Sequence, residues 1–153
     1  MNELQVYVHQ AFDRMGGVTR RVADDELNVK PFGVGTMSIA ALVVHSAAVS
    51  EFWLGHVALG RSSDRDRDAE WDAEADRGSL TNLINAAAAQ AGADIAAIEA
   101  GGGQPHDRRQ TLLAGGTDQA IILHVLEECY QHVGHMEITA DILENRRAGA
   151  AIG

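Results

Sequence analysis

A chain of 153 residues, 46% of them hydrophobic, can close a core without disulfide or metal staples and is short for two domains, so residues 1–153 read as a single domain. An aromatic share of 5% and only two prolines, in an alanine-rich background, suit closely packed helices and exclude an all-β sandwich or barrel. Twelve Lys and Arg against 22 Asp and Glu give a formal charge of −10, the wrong sign for tracking phosphates, and nucleic acid is not an expected partner.

The one cysteine, Cys129, excludes an intramolecular disulfide and a Cys-rich zinc cage, which fits the cytoplasm. Met1–Gln10 has neither the basic start nor the apolar run of a secretory leader. The greasiest stretch, Met37–Gly60, carries His45, Glu51 and His56, so no membrane partner is expected.

In chain order, Asn2–Asp24 places Leu4, Val8, Ala11, Met15, Val18 and Val22 at helical intervals, with Gly16-Gly17 weakening the middle. Pro31, Gly33 and Gly35 break the connection from Asp25 to Gly35, and Thr36 or Ser38 caps a second helix that runs to about Gly60. Its stripe is Leu42, His45, Val49, Phe52 with Trp53, and His56. The run from Arg61 to Gly78 alternates charges without an apolar period and reads as an ordered or half-ordered loop that Trp71 could pin.

Ser79 is the expected cap of a third helix striped by Leu80, Leu83, Ile84, Ala87, Ala91, Ile95 and Ile98, which ends before Gly101-Gly102-Gly103. Thr117 or Asp118 caps a fourth, ending near Asn145. The glycine clusters match no phosphate-loop or dinucleotide fingerprint, and no repeat is present. The expected fold is all-α, an antiparallel four-helix bundle, whose buried seam is a usual place for a metal or ligand.

The chemistry concentrates in the fourth helix. At about 100° per residue, His124, Glu128, His132 and His135 fall on the side that also carries Ile121, Val125, Ile138 and Ile142. A carboxylate and several imidazoles left unpaired in an apolar seam would cost several kcal/mol, a cost that a divalent cation removes. Glu128 and His132 stand one turn apart and can reach one ion, and His45 of the second helix is the natural third ligand. Three protein ligands leave a coordination position open, as in catalytic rather than structural sites. Only one short ligand pair exists, so the site is expected to be mononuclear rather than di-iron. The alternative is a hydrogen-bonded polar seam in which Glu128 is neutralised.

The sequence of a lone His in Ala-Leu-Val-Val-His45, the Arg-Asp-Arg-Asp-Ala-Glu70 loop, and His124-Val-Leu-Glu-Glu128 followed by Gln131-His132-x-Gly134 resembles the DinB-like superfamily over roughly residues 2–145. The resemblance implies a metal-binding four-helix bundle, often a homodimer, with one ligand on the second helix and two on the fourth. Many relatives carry histidine at both fourth-helix positions, whereas this chain has Glu128 at the first, as in the mycothiol-dependent maleylpyruvate isomerase branch. The implied ligands are His45, Glu128 and His132. The implied activity is S-transfer or isomerisation with a low-molecular-weight thiol such as mycothiol, used in detoxification. The metal would hold the thiol as its anion for attack on a small electrophile. Zinc suits the donors best, with nickel or iron as alternatives. A non-catalytic, stress-related metal or ligand binding module and a purely structural ion are the competing readings.

Other residues read more plainly. His124 is expected as a buried, hydrogen-bonded core histidine, and His135 likewise; His56 is expected on the seam or surface. Cys129 points aside from Glu128 as a small buried hydrophobe, and Tyr130, Phe52 and Trp53 as core or dimer contacts. The Arg61–Arg67 run is solvated charge, unless an arginine there meets a substrate carboxylate at the pocket mouth.

Overall fold

The computed structural model describes residues 2–33 and 35–152. The protein is all-helical, with five helices of which four are long, and no strand among the described residues. Helix α1 spans Glu3–Arg21, α2 Ile39–Ser50, α3 Arg67–Glu70, α4 Arg77–Ala97 and α5 Asp118–Ile152. Helix α1 packs on α4 and α5, and α2 packs on the same two, so one apolar cluster draws on all four long helices.

Local signals account for the starts. Asn2 accepts from the Gln5 backbone N–H while the Gln5 side chain accepts from Asn2 N–H, a reciprocal box that satisfies two orphan donors of α1. Helix α1 then buries Val8, Ala11, Phe12, Met15 and Val18 as the spacing predicts, and it runs unbroken through Gly16-Gly17. Phe12 is fully buried, a contribution of about 2–3 kcal/mol from its area alone. Ser38 caps α2 by accepting from Ala41 N–H. The cap of α4 is Asp76, not Ser79: its carboxylate accepts from both the backbone N–H and the hydroxyl of Ser79, which is stronger than a hydroxyl cap could be.

Two elements depart from the helical arithmetic, and both shape the site. Beyond Ser50, the second helix widens into a π-helical segment, Glu51–Ala58. Up to Val49 the predicted stripe is buried; after it the phase slips, so Leu54, Val57 and Ala58 are buried while Phe52, Trp53 and His56 are only half-buried. The wider turn leaves Phe52 and Trp53 packed against the edge of the core, where they also form a cavity wall. A Cβ at Gly55 would meet the Arg61 guanidinium and the Glu51 carboxylate, so a larger residue there would displace that ion pair.

Helix α5 continues well past Asn145, to Ile152. Its buried line runs through Ile121, Val125, Cys129, Val133, Met136, Ala140 and Leu143, rotated from the predicted one. Ile138 is 62% exposed and His135 is exposed. Glu128 and His124 therefore lie on the edge of the buried face, half-buried, rather than at its centre. By length and composition Ile39–Ala58 could cross a membrane, but 67% of its 18-residue apolar window is buried inside the fold, where it serves as a core helix.

The charged connection after α2 is ordered. Arg61 donates to both Glu51 and Asp94, tying the end of the second helix to α4. Gly101, at φ +88°, ends the extension of α4 in a conformation that other residues resist. The following loop is held by buried Arg109, which donates to the carbonyls of Ala58 and Gly116 and to the Asp118 carboxylate.

Candidate metal centre

His45, from the middle of α2, and Glu128 and His132, one turn apart on α5, come together between the helices. One ligand atom from each lies within 4.8 Å of the others. His132 Nε2 is 3.4 Å and His45 Nε2 3.9 Å from Glu128 Oε2. Ligands at about 2.0–2.1 Å from a tetrahedral ion stand roughly 3.3 Å apart, so two neutral imidazoles and a carboxylate already lie near the spacing that a divalent ion demands. His45 and His132 are buried, and Glu128 keeps 28% of its side chain exposed, which opens one side of the group.

His45 is oriented by Glu70. Its Nδ1–H donates to Glu70 Oε2 at 2.6 Å, which fixes the tautomer and leaves Nε2 to face Glu128. Glu70 is 6% exposed and also accepts two hydrogen bonds from Arg65, Nε to Oε1 at 2.6 Å and Nη2 to Oε2 at 2.9 Å. Burial alone would raise the pKa of Glu70; the hydrogen bonds from Arg65 and His45 outweigh it and hold the carboxyl below its ordinary value. Trp71, the next residue, stacks on the His45 ring with centroids 3.9 Å apart, and so pins the loop as its isolated place among charges suggests. His132 differs: its Nδ1 is buried with no hydrogen-bond partner among the described residues.

Burial lowers the pKa of both imidazoles, and for His132 the neighbouring His45 lowers it further, so both rings are neutral at pH 7, the form that ligates a metal. The sign of the pH dependence follows. As pH falls below about 6.5, the unfolded chain takes up protons that the folded protein refuses, and stability drops. Chemical denaturation of the metal-free protein should show no change from these groups between pH 7 and 8, a falling midpoint from pH 6.5 downwards, and a shallower fall in His132→Ala.

A cavity of about 310 Å³ adjoins the group, lined by His45 and Glu128, by Val49, Phe52, Trp53 and His124, and by Arg65, Arg67 and Arg108. His124 is not the buried core histidine its register suggested. It is half-buried on the cavity wall, edge-on to Trp53 and with Nδ1 3.7 Å from Glu127. His56 and His135 stay out of the group; His56 Nδ1 lies 2.6 Å from the Arg61 carbonyl oxygen. Cys129 is fully buried beside Ser50, and burial pushes its thiol up to about 11, so it is no nucleophile.

Two participants were not identified from spacing. Glu70 lies far from His45 in sequence; the Arg-Asp-Arg-Asp-Ala-Glu70 motif and the adjoining Trp71 mark the segment, but no spacing pairs it with His45. Arg108 sits in a glycine-flanked loop with no pattern at all.

No curated protein and no solved structure matches the chain. The family model described as Mycothiol-S-transferase matches residues 3–144, a span that holds all three members of the metal group together with Glu70 and Trp71, and the chain belongs to that family, within the DinB-like superfamily.

Proposed function

We propose that this protein is a divalent-metal-dependent S-transferase that joins a low-molecular-weight thiol, mycothiol in the first instance, to a small electrophile. The observation that carries the reading is the group of His45, Glu128 and His132 opening on a cavity in a chain of this family. Zinc is the expected ion, since two imidazoles and one carboxylate with an open side match its catalytic sites; nickel or iron would accept the same donors. When bound, the ion lowers the pKa of a coordinated thiol so that it reacts as the thiolate.

The protein's own residues do the rest. Glu70 holds His45 as the Nδ1–H tautomer, and Trp71 covers that ring and keeps water from it. In this reading His124, on the cavity wall, takes up the thiol proton and passes it to solvent. Sulfur then forms a bond to the electrophilic carbon as the leaving group departs with its electron pair. Phe52 and Trp53 supply an apolar wall for the acceptor. In this reading an antiparallel four-helix bundle forms a single domain that works in the cytoplasm as a homodimer, without nucleic acid or membrane; the charge of −10 supports the exclusion of nucleic acid.

The test is elemental analysis of protein purified without a histidine tag, followed by assay of zinc-loaded protein with mycothiol and 1-chloro-2,4-dinitrobenzene. Thioether and chloride should form in a metal-dependent way. A metal-loaded protein that never exceeds the spontaneous rate, with mycothiol or other cellular thiols, would refute S-transfer.

A further inference from the structure

The cavity beside the metal group has the opposite electrical character to the chain around it. Among the described residues lining it, Glu128 is the one carboxylate, against three arginines. Arg65 is committed to Glu70 through two hydrogen bonds, so its charge is matched. Arg61, the other arginine of the loop with a buried partner, is committed to Glu51 and Asp94. Arg67 and Arg108 differ: neither guanidinium makes a hydrogen bond or ion pair among the described residues, although the chain carries 22 acidic side chains.

The two arginines come from separate segments, and each backbone is held in place. Arg67 opens α3, whose cap Asp66 accepts from Asp68 and Ala69 N–H and whose last residue, Glu70, is fastened to His45. Arg108 donates its backbone N–H to His106 Nδ1, the His106 ring packs edge-on against His56, and the next residue is the buried anchor Arg109. Once Glu128 is neutralised by an ion, the lining of the cavity carries two arginines without an ion pair among the described residues, beside the walls made by Phe52 and Trp53. Guanidinium forks recognise carboxylates, and aromatic walls recognise flat conjugated groups.

Building on the S-transfer reading, we propose that Arg67 and Arg108 select an acceptor that bears a carboxylate on a small aromatic or conjugated frame. The cavity volume of about 310 Å³ is at the small end of ligand pockets and admits a ring with its substituents. The arginines hold the carboxylate at the mouth and leave the electrophilic carbon towards the metal group.

The test separates recognition from turnover. Binding of 3-nitrobenzoate and of 3-nitrobenzamide is followed by tryptophan fluorescence, in metal-loaded and metal-free protein, the latter removing direct coordination of the carboxylate as a cause. The benzoate should bind about tenfold more tightly in the metal-loaded protein and keep a smaller margin in the metal-free protein, where Glu128 retains its charge, with both margins shrinking as salt is raised. R67Q/R108Q should erase the margin and R67K/R108K should keep part of it, each with an unchanged circular dichroism melt, since both side chains are exposed. Equal binding of acid and amide, or a margin that survives in R67Q/R108Q, overturns the proposal. Transfer from mycothiol to 4-chloro-3-nitrobenzoate and to its amide is then compared, each relative to its uncatalysed rate. Turnover without a preference for the acid defeats the proposal and leaves S-transfer standing; a binding preference without turnover supports the acid site and defeats S-transfer.

Discussion

Replacing His132 with Ala is expected to lower bound metal from one ion per chain to a small fraction of that, and thiol transfer by on the order of 10³, because the ion supplies several kcal/mol of charge stabilisation. The same change should leave the metal-free protein as stable as before. His132 has a buried Nδ1 with no hydrogen-bond partner among the described residues, so truncation removes an unsatisfied polar atom along with some packing, and the two effects oppose. What should vanish is the rise in melting temperature on adding zinc, since a ligand that binds only the folded state stabilises in proportion to its affinity. Mass spectrometry of the metal content, a melt with and without zinc, and the transfer assay together check this. A variant that still binds zinc at full affinity would show that His132 is not a ligand. A variant that loses the thermal response but keeps every activity would show that the ion is structural.

The second large effect belongs to Glu70. Glu70→Gln should weaken metal affinity by about 10–100-fold without touching a ligand, because the amide no longer fixes His45 with a charged acceptor. It should also destabilise the metal-free fold, by about 3 kcal/mol, since Arg65, with 14% of its side chain exposed, loses the carboxylate that matches its charge. Metal titration against a chelating dye and urea denaturation measure the two separately. The double variant with Arg65→Gln should recover stability but not affinity, because it removes the stranded charge without restoring the orientation of the imidazole. Full metal affinity in Glu70→Gln would show that packing under Trp71 alone is enough to hold His45.

The helical class, the starts of α1 and α2, and the pairing of Glu128 with His132 are legible in the residues because they depend on local rules. These are capping by Asn2 and Ser38, an apolar period near 3.6, and the one-turn reach of two side chains. His45 is legible for a weaker reason: a lone imidazole in the most apolar stretch of the chain needs a partner, and α5 offers them. The superfamily motifs are legible too, and they span most of the chain matched by the family model.

The tertiary structure decided what local rules could not. A helical wheel assumes one constant turn, so it misplaces Phe52, Trp53 and His56 once the backbone widens after Ser50, and it puts Ile138 in a core from which the contact surface of α5 excludes it. Glu70 and Arg108 join the site only because a charged loop and a glycine-flanked loop fold back over it, closures between distant segments that leave no period in the sequence. The donors for a metal were written in the order of residues along two helices; how His45 is held, and which charges surround its cavity, followed from long-range contacts whose energy exists only once the chain is folded.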